Sequence, residues 1–333
     1  MTTKQDTLYS QSLFNKIAIF AGGRRNQLLQ KSSFMSEKNV AFTYLTLALS
    51  IIFWGGSFIA TKIALQSFSP FCLIFLRFSC ASVFFLLLLS RTGFPPLTRK
   101  NLKNLALLAI FQPGLYFTFE TIGLQYTTAT KTSLIIATIP LVVVVMSVLF
   151  LKERIRPINI AGICISLAGV SLLVFGGQPE GVASGMLFGD LLIGGAVLSA
   201  AIYMLMARSL GQTITPVQIT GVQAIFGALI FLPLFLYDLP ALQWQEVTTD
   251  SIIAVIGLTV FATIAAFLCY NYALTQIPAA RAAVFINAIP VVTAFGAWLL
   301  LGETLTMVQF IGGAVVLFAV YLANHSGPSA AST

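Results

Sequence analysis

The sequence predicts an all-α integral membrane protein with ten transmembrane helices, arranged as two inverted five-helix repeats. Three observations predict this class: a very low content of charged residues, apolar runs of membrane-spanning length, and an internal repeat. Hydrophobic residues make up 58% of the chain and charged residues only 8%. Soluble domains carry about 25% charged residues, so a water-soluble fold could not cover its surface with this composition.

Ten apolar runs follow one another, each about as long as a bilayer-spanning helix requires. They cover residues 41–65, 70–90, 102–124, 131–151, 157–176, 186–209, 216–237, 250–274, 281–301 and 306–323. Prolines inside four of the runs are compatible with membrane helices, because neighbouring groups can satisfy the carbonyls that a proline leaves free. Of these, Pro233 is predicted to break the seventh run.

The two ends of the chain are polar. Residues 1–38 are basic and are expected to form a disordered cytoplasmic tail, with an organellar transit peptide as the alternative because the segment is poor in acids. Residues 324–333 are expected to form a second cytoplasmic tail.

Lysine and arginine predict the orientation in the membrane. With the N-terminus inside, fifteen of the 18 Lys and Arg residues fall in inward segments, while Lys62 and Lys131 fall outside and Arg77 lies within a run. Cytoplasmic segments of membrane proteins are enriched in Lys and Arg. Both termini are therefore predicted to be cytoplasmic.

The residues that several other functions require do not occur in a suitable pattern in this sequence. The 4 cysteines lie in apolar runs without CxxC spacing, and the 1 histidine, His325, lies in the C-terminal tail, so no metal site or histidine-based catalysis is expected. No phosphate-binding glycine loop is present, and the net charge of +8 is dispersed over loops. We therefore expect no cofactor and no nucleic-acid partner.

The internal repeat is clearest in one pair of segments. IPLVVVVMSVLFLKE at 139–153 recurs as IPVVTAFGAWLLLGE at 289–303, 150 residues later. The spacing pairs Pro140 with Pro290, Glu153 with Glu303 and Gly162 with Gly312. The repeats are assigned to residues 41–176 and 186–323. Since each contains five helices, an odd number, the second copy must cross the membrane in the opposite sense, as in many secondary transporters.

The paired glutamates each precede a helix by a few residues. Glu153 and Glu303 can therefore cap the free N–H groups of that helix and interact with its positive end, which we favour over a role in substrate binding. Pro140 and Pro290 are likewise interpreted as structural.

The repeated proline and glutamate pattern, with FWGGSFIATK at 53–62 and the pair Arg77-Phe78, resembles the EamA domain of the drug/metabolite transporter superfamily. The resemblance covers residues 41–323. It implies an inverted ten-helix repeat with a central cavity lined mainly by helices 1, 3, 4, 6, 8 and 9. It also implies export or exchange of small metabolites and a bacterial inner membrane location.

Glu120 and Arg77 are charged residues that lie well inside apolar runs. Glu120 can bind a substrate amine or carry a proton, since an intramembrane carboxylate is costly unless paired or facing water; the alternative is an interfacial carboxylate paired with Lys131. Arg77 can hold a substrate carboxylate. We favour a structural role for it, because the resemblance places its helix at the periphery.

Other candidate substrate-binding residues are aromatic or carry amides: Trp54, Tyr116, Tyr203, Tyr270, Asn271 and Asn287. Aromatic rings with a few amides suit an amphipathic ligand, although such rings are also common in membrane cores. Asn287 stands out because it replaces Ala137 of the first repeat and an amide in lipid needs a partner. Lys131 and Arg281 start equivalent helices and are interpreted as gate residues or orientation anchors.

The resemblance implies a secondary transporter that exports a small amphipathic metabolite, such as an amino acid, and these residues permit that function. We do not expect an enzyme. Protons are the candidate coupling ion, and the protein is expected to be a monomer or homodimer among membrane lipids. The alternatives are a multidrug exporter, a nucleotide-sugar or phosphate-ester carrier and, more remotely, a membrane-embedded enzyme or a non-transporting sensor.

Overall fold

The fold is all-helical, as the sequence predicts. The computed structural model describes residues 37–96, 98–127, 129–151, 157–175, 186–242, 244–301 and 306–325, and every regular element in these ranges is helical. The first half contains α1 (Glu37–Ala64), α2 (Pro70–Thr92), α3 (Arg99–Ala109), α4 (Tyr116–Tyr126), α5 (Ala129–Ile136), α6 (Ile139–Met146) and α7 (Pro157–Phe175). The second contains α8 (Met186–Leu210), α9 (Pro216–Asp238), α10 (Thr249–Gly257), α11 (Ala266–Gln276), α12 (Ala279–Val284), α13 (Ile289–Leu301) and α14 (Met307–His325).

Wide or tight helical segments extend several of these helices. The π-helical segments are Ile110–Leu115 between α3 and α4, Ser147–Leu151 after α6, and Leu258–Ala265 between α10 and α11. The 3-10 segments are Leu239–Ala241, Trp244–Glu246 and Phe285–Ala288.

Short polar side chains determine where several helices begin. Ser69, Thr98 and Thr248 each precede a helix and accept a hydrogen bond from a backbone N–H in its first turn. Thr215 and Gln218 form a reciprocal capping box at the start of α9. These side chains satisfy N–H groups that have no partner within the helix. The helices therefore begin where polar residues interrupt the apolar runs.

Many of the helices are long and apolar enough to cross a membrane. Within the described ranges, 7 stretches meet this criterion: Val40–Ala64, Pro70–Thr92, Arg99–Tyr126, Leu187–Leu210, Pro216–Asp238, Thr249–Gln276 and Ala279–Gly296. Shorter apolar helices cover Ile139–Phe150, Ile160–Leu172 and Met307–Leu322. The chain is therefore a multi-pass membrane protein.

The helix bounds repeat along the chain. α7 and α14 begin at residues 157 and 307, which is 150 residues apart, and each contains 19 residues. The stretches Arg99–Tyr126 and Thr249–Gln276 are also offset by 150 residues and each contains 28. α2 and α9 begin at residues 70 and 216, an offset of 146, and each contains 23. The repeat that the sequence reveals in the fourth and fifth runs therefore extends to the second and third.

Helices of the two halves pack in matched pairs. α2 packs against α9 and α7 packs against α14, so equivalent helices contact each other. α1 packs against α11, and α8, which is the equivalent of α1, packs against α4. Reciprocal contacts of this kind are expected where two copies of a unit are related by a twofold axis.

The contact between α7 and α14 depends on a glycine. A Cβ atom added to Gly169 would lie 2.9 Å from the carbonyl oxygen of Gly312 and 2.9 Å from the backbone nitrogen of Val316. Backbone atoms cannot move aside as a flexible side chain can. Small residues let membrane helices approach closely, so the absent side chain sets the distance between these two helices.

Prolines have different effects at different sites. Pro140 and Pro290 each lie in the first turn of a new helix, α6 and α13, where a missing N–H costs no hydrogen bond. Pro233 lies inside α9, which continues to Asp238. The prediction that Pro233 breaks the seventh run is therefore wrong, since membrane helices can satisfy the carbonyl that the proline leaves free.

The third helical stretch is interrupted near its middle. Gln112 has φ −147° and ψ 114°, far from helical values, and its peptide bond to Pro113 is cis. The π-helical segment Leu258–Ala265 occupies the equivalent position in the second half and contains no proline. Both halves therefore have a π-helical segment at this position. Only the first half has, in addition, an extended residue followed by a proline.

Candidate functional site

A central cavity lies among helices of both halves. Its aromatic lining residues are Trp54, Phe58, Tyr116, Phe117, Tyr203 and Phe267. Its other polar or charged lining residues are Ser57, Arg77, Gln112 and Glu120, and its aliphatic ones are Ile136, Ile139, Ala200, Met204, Ile286 and Ile289. A mostly apolar cavity with a few polar groups is typical of a small-molecule site.

The apolar lining follows the internal repeat. At the offset of 150 residues, three pairs of lining residues are equivalent: Phe117 and Phe267, Ile136 and Ile286, and Ile139 and Ile289. At the offset of 146 residues that relates α2 to α9, three lining residues of α1 correspond to three of α8: Trp54 to Ala200, Ser57 to Tyr203, and Phe58 to Met204. Both copies therefore present the same positions to one shared space.

The charged lining does not follow the repeat. Arg77 and Glu120, which are the charged members of the described lining, both come from the first half. The equivalent positions in the second half carry Gln223 and Tyr270. The cavity is therefore symmetric in its apolar surface and asymmetric in its charge.

Glu120 lies on α4 and is 3% exposed. Its Oε2 atom is buried without a hydrogen-bond partner among the described residues. A carboxylate inside a membrane is stable only when it is paired or faces a polar space. The alternative partner considered from sequence was Lys131, whose side chain lies outside the described residues.

Arg77 is buried on α2 and is held from two sides. Its Nε donates a hydrogen bond of 3.2 Å to Thr263 Oγ1 in the π-helical segment of the second half. Its Cζ lies 4.8 Å from the centroid of the Phe117 ring, a cation–π geometry. The sequence favoured a structural role because α2 was expected to be peripheral. In the structure, α2 also lines the cavity, because Arg77 reaches it, in addition to the six helices that the resemblance implied.

Gln112 presents its side chain to the cavity at the point where the helix is interrupted. Its Oε1 atom is buried and has no hydrogen-bond partner in the described part of the chain. Its backbone carbonyl accepts a hydrogen bond of 2.9 Å from Gln223 Nε2 on α9. A helix of the second half thus holds the interrupted segment of the first.

Tyr203 and Asn271 belong to a buried hydrogen-bond network. The Tyr203 hydroxyl donates to Asn271 Oδ1 over 2.6 Å, and Asn271 Nδ2 donates to Thr220 Oγ1 over 2.9 Å and to Gln223 Oε1 over 3.3 Å. Together with the bond from Gln223 to Gln112, the network joins α8, α11 and α9 to the interrupted helix. Tyr203 lines the cavity, whereas Asn271 lies behind it and orients the tyrosine.

Aromatic rings form one wall of the cavity. Trp54 donates through Nε1 to the carbonyl of Ala262 at 3.2 Å, and its ring centroid lies 4.9 Å from that of Tyr270. Tyr116 packs edge-on against Phe117 with centroids 5.1 Å apart. Of the aromatic residues selected from sequence, Trp54, Tyr116 and Tyr203 line the cavity and Tyr270 packs behind Trp54.

Asn287 lies away from the cavity. It is fully buried in the 3-10 segment before α13, and its Nδ2 donates to Ser166 Oγ on α7. The partner of Nδ2 is therefore a protein hydroxyl, while the Oδ1 atom is buried without a hydrogen-bond partner among the described residues.

The remaining residues selected from sequence also lie outside the cavity lining. Arg281 is half-buried in α12, and Pro140 and Pro290 are buried at the starts of their helices. Glu153 and Glu303 lie outside the described residues.

Sequence reasoning did not select Gln112. The available signal was a polar residue directly before Pro113 in the middle of an apolar run. A residue before proline is disfavoured in helical conformation, which predicts an interruption at this point. A polar side chain there lies beside backbone groups that the helix leaves unpaired.

Comparison with known proteins matches this architecture. The family model described as the EamA-like transporter family matches residues 41–175 and again 187–325. A solved crystal structure of a protein superposes with a TM-score of 0.70 at 19% sequence identity, covering 85% of this chain and 96% of that one. At this identity the match supports the fold.

Relatives by sequence include proteins named as transporters. An uncharacterized transporter of Archaeoglobus fulgidus is 30% identical over 84% of this chain and 97% of its own length. YetK, an uncharacterized transporter of Bacillus subtilis, is 29% identical over 88% of this chain and 90% of its own. A WAT1-related chloroplastic protein of Arabidopsis thaliana is 26% identical over 89% of this chain and 72% of its own. With two matching copies and relatives of nearly full length, the chain belongs to the EamA-like transporter family.

Proposed function

We propose that this protein is a secondary transporter that moves a small amphipathic metabolite, such as an amino acid, by alternating access. The observation that carries the proposal is the central cavity, in which equivalent apolar residues of both repeats surround a buried carboxylate, Glu120. A site on the axis between two repeats can be reached from either face when one repeat rocks against the other. We further propose that transport is directed outward.

The proposed topology has ten crossings in two inverted repeats, 41–176 and 186–323, with tails 1–38 and 324–333 in the cytoplasm of a bacterium. The excess of Lys and Arg in the inward segments supports this orientation. The matched packing of α1 with α11 and of α8 with α4 supports two related repeats. A monomer or homodimer in the inner membrane fits this arrangement.

Glu120 is the group we propose for coupling. A substrate ammonium group in the cavity can pair with this carboxylate, and after the substrate has left, a proton can take the place of the ammonium. Exchange of a substrate cation for a proton would couple the two movements. Glutamine at this position keeps the shape of the side chain but can neither bind a proton nor pair an ammonium as a carboxylate does.

The test is flux of radiolabelled amino acids into proteoliposomes containing the purified full-length protein, with and without an imposed pH gradient. The proposal expects wild-type flux that follows the gradient and is lost in Glu120→Gln. Thr118→Val, two residues away on nearly the opposite face of the same helix, is a matched control, because the Thr118 hydroxyl bonds to the Gly114 carbonyl and Thr118 is not a lining residue.

Each outcome decides a part of the proposal. Gradient-independent flux that survives in Glu120→Gln would make the protein a facilitator and remove Glu120 from the coupling role. The absence of flux for every amino acid would contradict the substrate class, and lipophilic cations would be tested next, since an aromatic cavity with one carboxylate also suits a multidrug exporter.

A further inference from the structure

The polar groups of the cavity are of two kinds. Glu120 Oε2 and Gln112 Oε1 are buried acceptors that lack hydrogen-bond partners among the described residues. Arg77 uses Nε for Thr263, while its Nη1 and Nη2 make no hydrogen bond within the described part of the chain. The cavity therefore offers both unpaired acceptors and an unpaired fork of donors.

The two charges do not satisfy each other directly. The guanidinium of Arg77 and the carboxylate of Glu120 interact electrostatically across the cavity, but no hydrogen bond joins these two described side chains. Buried charges are stable when they are paired and hydrogen-bonded. A ligand that carries a group of each sign would complete both partners at once, whereas a ligand with a single charge would leave one of them uncompensated.

Both charges lie at about the same depth along their helices. Arg77 is seven residues after Pro70, the start of α2, and Glu120 is six residues before Tyr126, the end of α4. At about 1.5 Å per residue these positions are about 9–11 Å from helix ends that short loops place at the same face. The second half contributes Phe267, Met204 and Ile286 to the remaining surface, which is apolar.

We propose that the cavity binds a zwitterion, with Arg77 holding its carboxylate and Glu120 and Gln112 accepting hydrogen bonds from its ammonium group. The apolar side chain of the ligand lies against the second half. The guanidinium suits this role because its planar fork binds a carboxylate through two parallel hydrogen bonds, and its position is already fixed by Thr263 and Phe117. This inference rests on the proposed function and assigns the substrate class and the orientation of the substrate.

The test uses three probes that share a phenyl ring: L-phenylalanine, phenethylamine, which lacks the carboxylate, and 3-phenylpropanoate, which lacks the amine. Binding to the purified full-length protein is measured by the fluorescence of Trp54, which lines the cavity, after Trp244→Phe and Trp298→Phe. Transport of labelled L-phenylalanine is measured in parallel. The wild type is expected to bind L-phenylalanine about tenfold or more tightly than either analogue.

The two charge substitutions are expected to have opposite selectivity. Arg77→Gln should weaken binding of L-phenylalanine by about ten- to a hundredfold and leave phenethylamine unchanged or bound more tightly. Glu120→Gln should weaken L-phenylalanine and phenethylamine and spare 3-phenylpropanoate. Arg77→Lys keeps the positive charge but loses the planar fork of donors, so it should weaken binding of L-phenylalanine to an intermediate degree. If Arg77→Gln does not fold, Arg77→Lys still tests the inference.

Thr263→Val is the control for a purely structural arginine. It removes the hydrogen-bond partner of Arg77 and leaves the positive charge in place. If Thr263→Val or Arg77→Gln weakens binding of phenethylamine as much as that of L-phenylalanine, the loss does not depend on the carboxylate. Arg77 then only positions α2 against the second half, and the inference is overturned.

Failure of the inference is distinguishable from failure of the proposed function. If Arg77→Gln changes neither binding nor transport of L-phenylalanine, the protein is an amino acid transporter in which Arg77 does not bind the substrate carboxylate. A wild type that neither binds nor transports L-phenylalanine would contradict the amino acid assignment and the zwitterion site together.

Discussion

At the scale of single residues, buried polar side chains of this protein fall into two groups. Asn271, Tyr203 and Gln223 satisfy one another through a continuous set of hydrogen bonds. Glu120 and Gln112 retain buried acceptor atoms without partners in the described part of the chain and line the cavity. Other buried polar atoms without partners among the described residues, such as Thr61 Oγ1 and Ser147 Oγ, lie outside the cavity lining. Glu120 and Gln112 differ from them because they face the same space as the charged Arg77, and this combination indicates where a ligand binds.

Asn287 and Ser166 provide a residue-scale prediction. Ser166→Val is expected to lower the free energy of unfolding by about 1–3 kcal/mol, because it leaves the buried Asn287 amide without its acceptor. Asn287→Ala should cost a similar amount. The double substitution should cost less than the sum of the two single effects. It places alanine and valine at the two positions, as Ala137 and Val316 already are at the equivalent positions of the other copy. Thermal unfolding of the purified variants in detergent measures all three.

The same variants also test where Asn287 acts. Since its amide bonds to α7 and lies off the cavity, the KM for transport should stay within about threefold of wild type in the double variant. A strict sum of the two single effects on stability, or a large rise in KM for the double variant, would contradict this assignment.

The sequence could identify which residues need polar partners but could not choose the partners. An amide or a charge inside a membrane helix must be satisfied, and this singles out Glu120, Asn271 and Asn287. Whether the partner is a ligand or another helix depends on how each helix is rotated, and rotation is set by packing against helices distant in the chain. Arg77 illustrates this, because its partner Thr263 is 186 residues away.

At the scale of helices, the sequence predicts where helices begin and end better than where a helix is interrupted. Polar caps and short polar breaks end the apolar runs, so the run at 157–176 corresponds closely to α7 at Pro157–Phe175. A proline alone does not decide whether a helix continues: α9 passes through Pro233, whereas the conformation at Gln112 interrupts the helix before Pro113. The difference lies in the surroundings, since Gln223 of α9 bonds to the carbonyl of Gln112.

The crossing of α7 and α14 gives an element-scale prediction. Gly169→Val should lower the free energy of unfolding by about 1–3 kcal/mol, because its Cβ would meet backbone atoms of α14 at 2.9 Å. Gly257→Ala is the matched control, since nothing lies within 4 Å of the added Cβ, and alanine in a helix should leave stability unchanged or raise it by about 0.5–1 kcal/mol. Equal melting temperatures for the two variants would show that the helices do not cross at Gly169.

At the scale of the whole molecule, the proposed inverted arrangement predicts opposite accessibility for equivalent residues. Gln66 and Gln212 lie in the exposed turns before α2 and α9, 146 residues apart like the helices that follow them. In a variant lacking Cys72, Cys80, Cys164 and Cys269, Gln66→Cys should react with a membrane-impermeant maleimide added to intact cells. Gln212→Cys should react only after the membrane is opened.

The pattern of labelling separates the possible topologies. Labelling of both cysteines from the same side would mean that the two copies run in parallel, and the odd number of helices per repeat would then be wrong. Labelling of Gln212→Cys alone in intact cells would keep the inverted repeat but reverse the orientation that Lys and Arg predict.

The asymmetric charge of the cavity has a consequence for how such a duplicated chain diverges in evolution. Mutations at Ala200, Met204 or Phe267 would change the room available in the cavity without replacing Arg77 or Glu120. Selection can therefore reshape the second copy to admit a different compound, while the first copy keeps the charges to which we assign ligand binding. A duplicated cavity with its charges in one copy can thus acquire new specificities by few mutations.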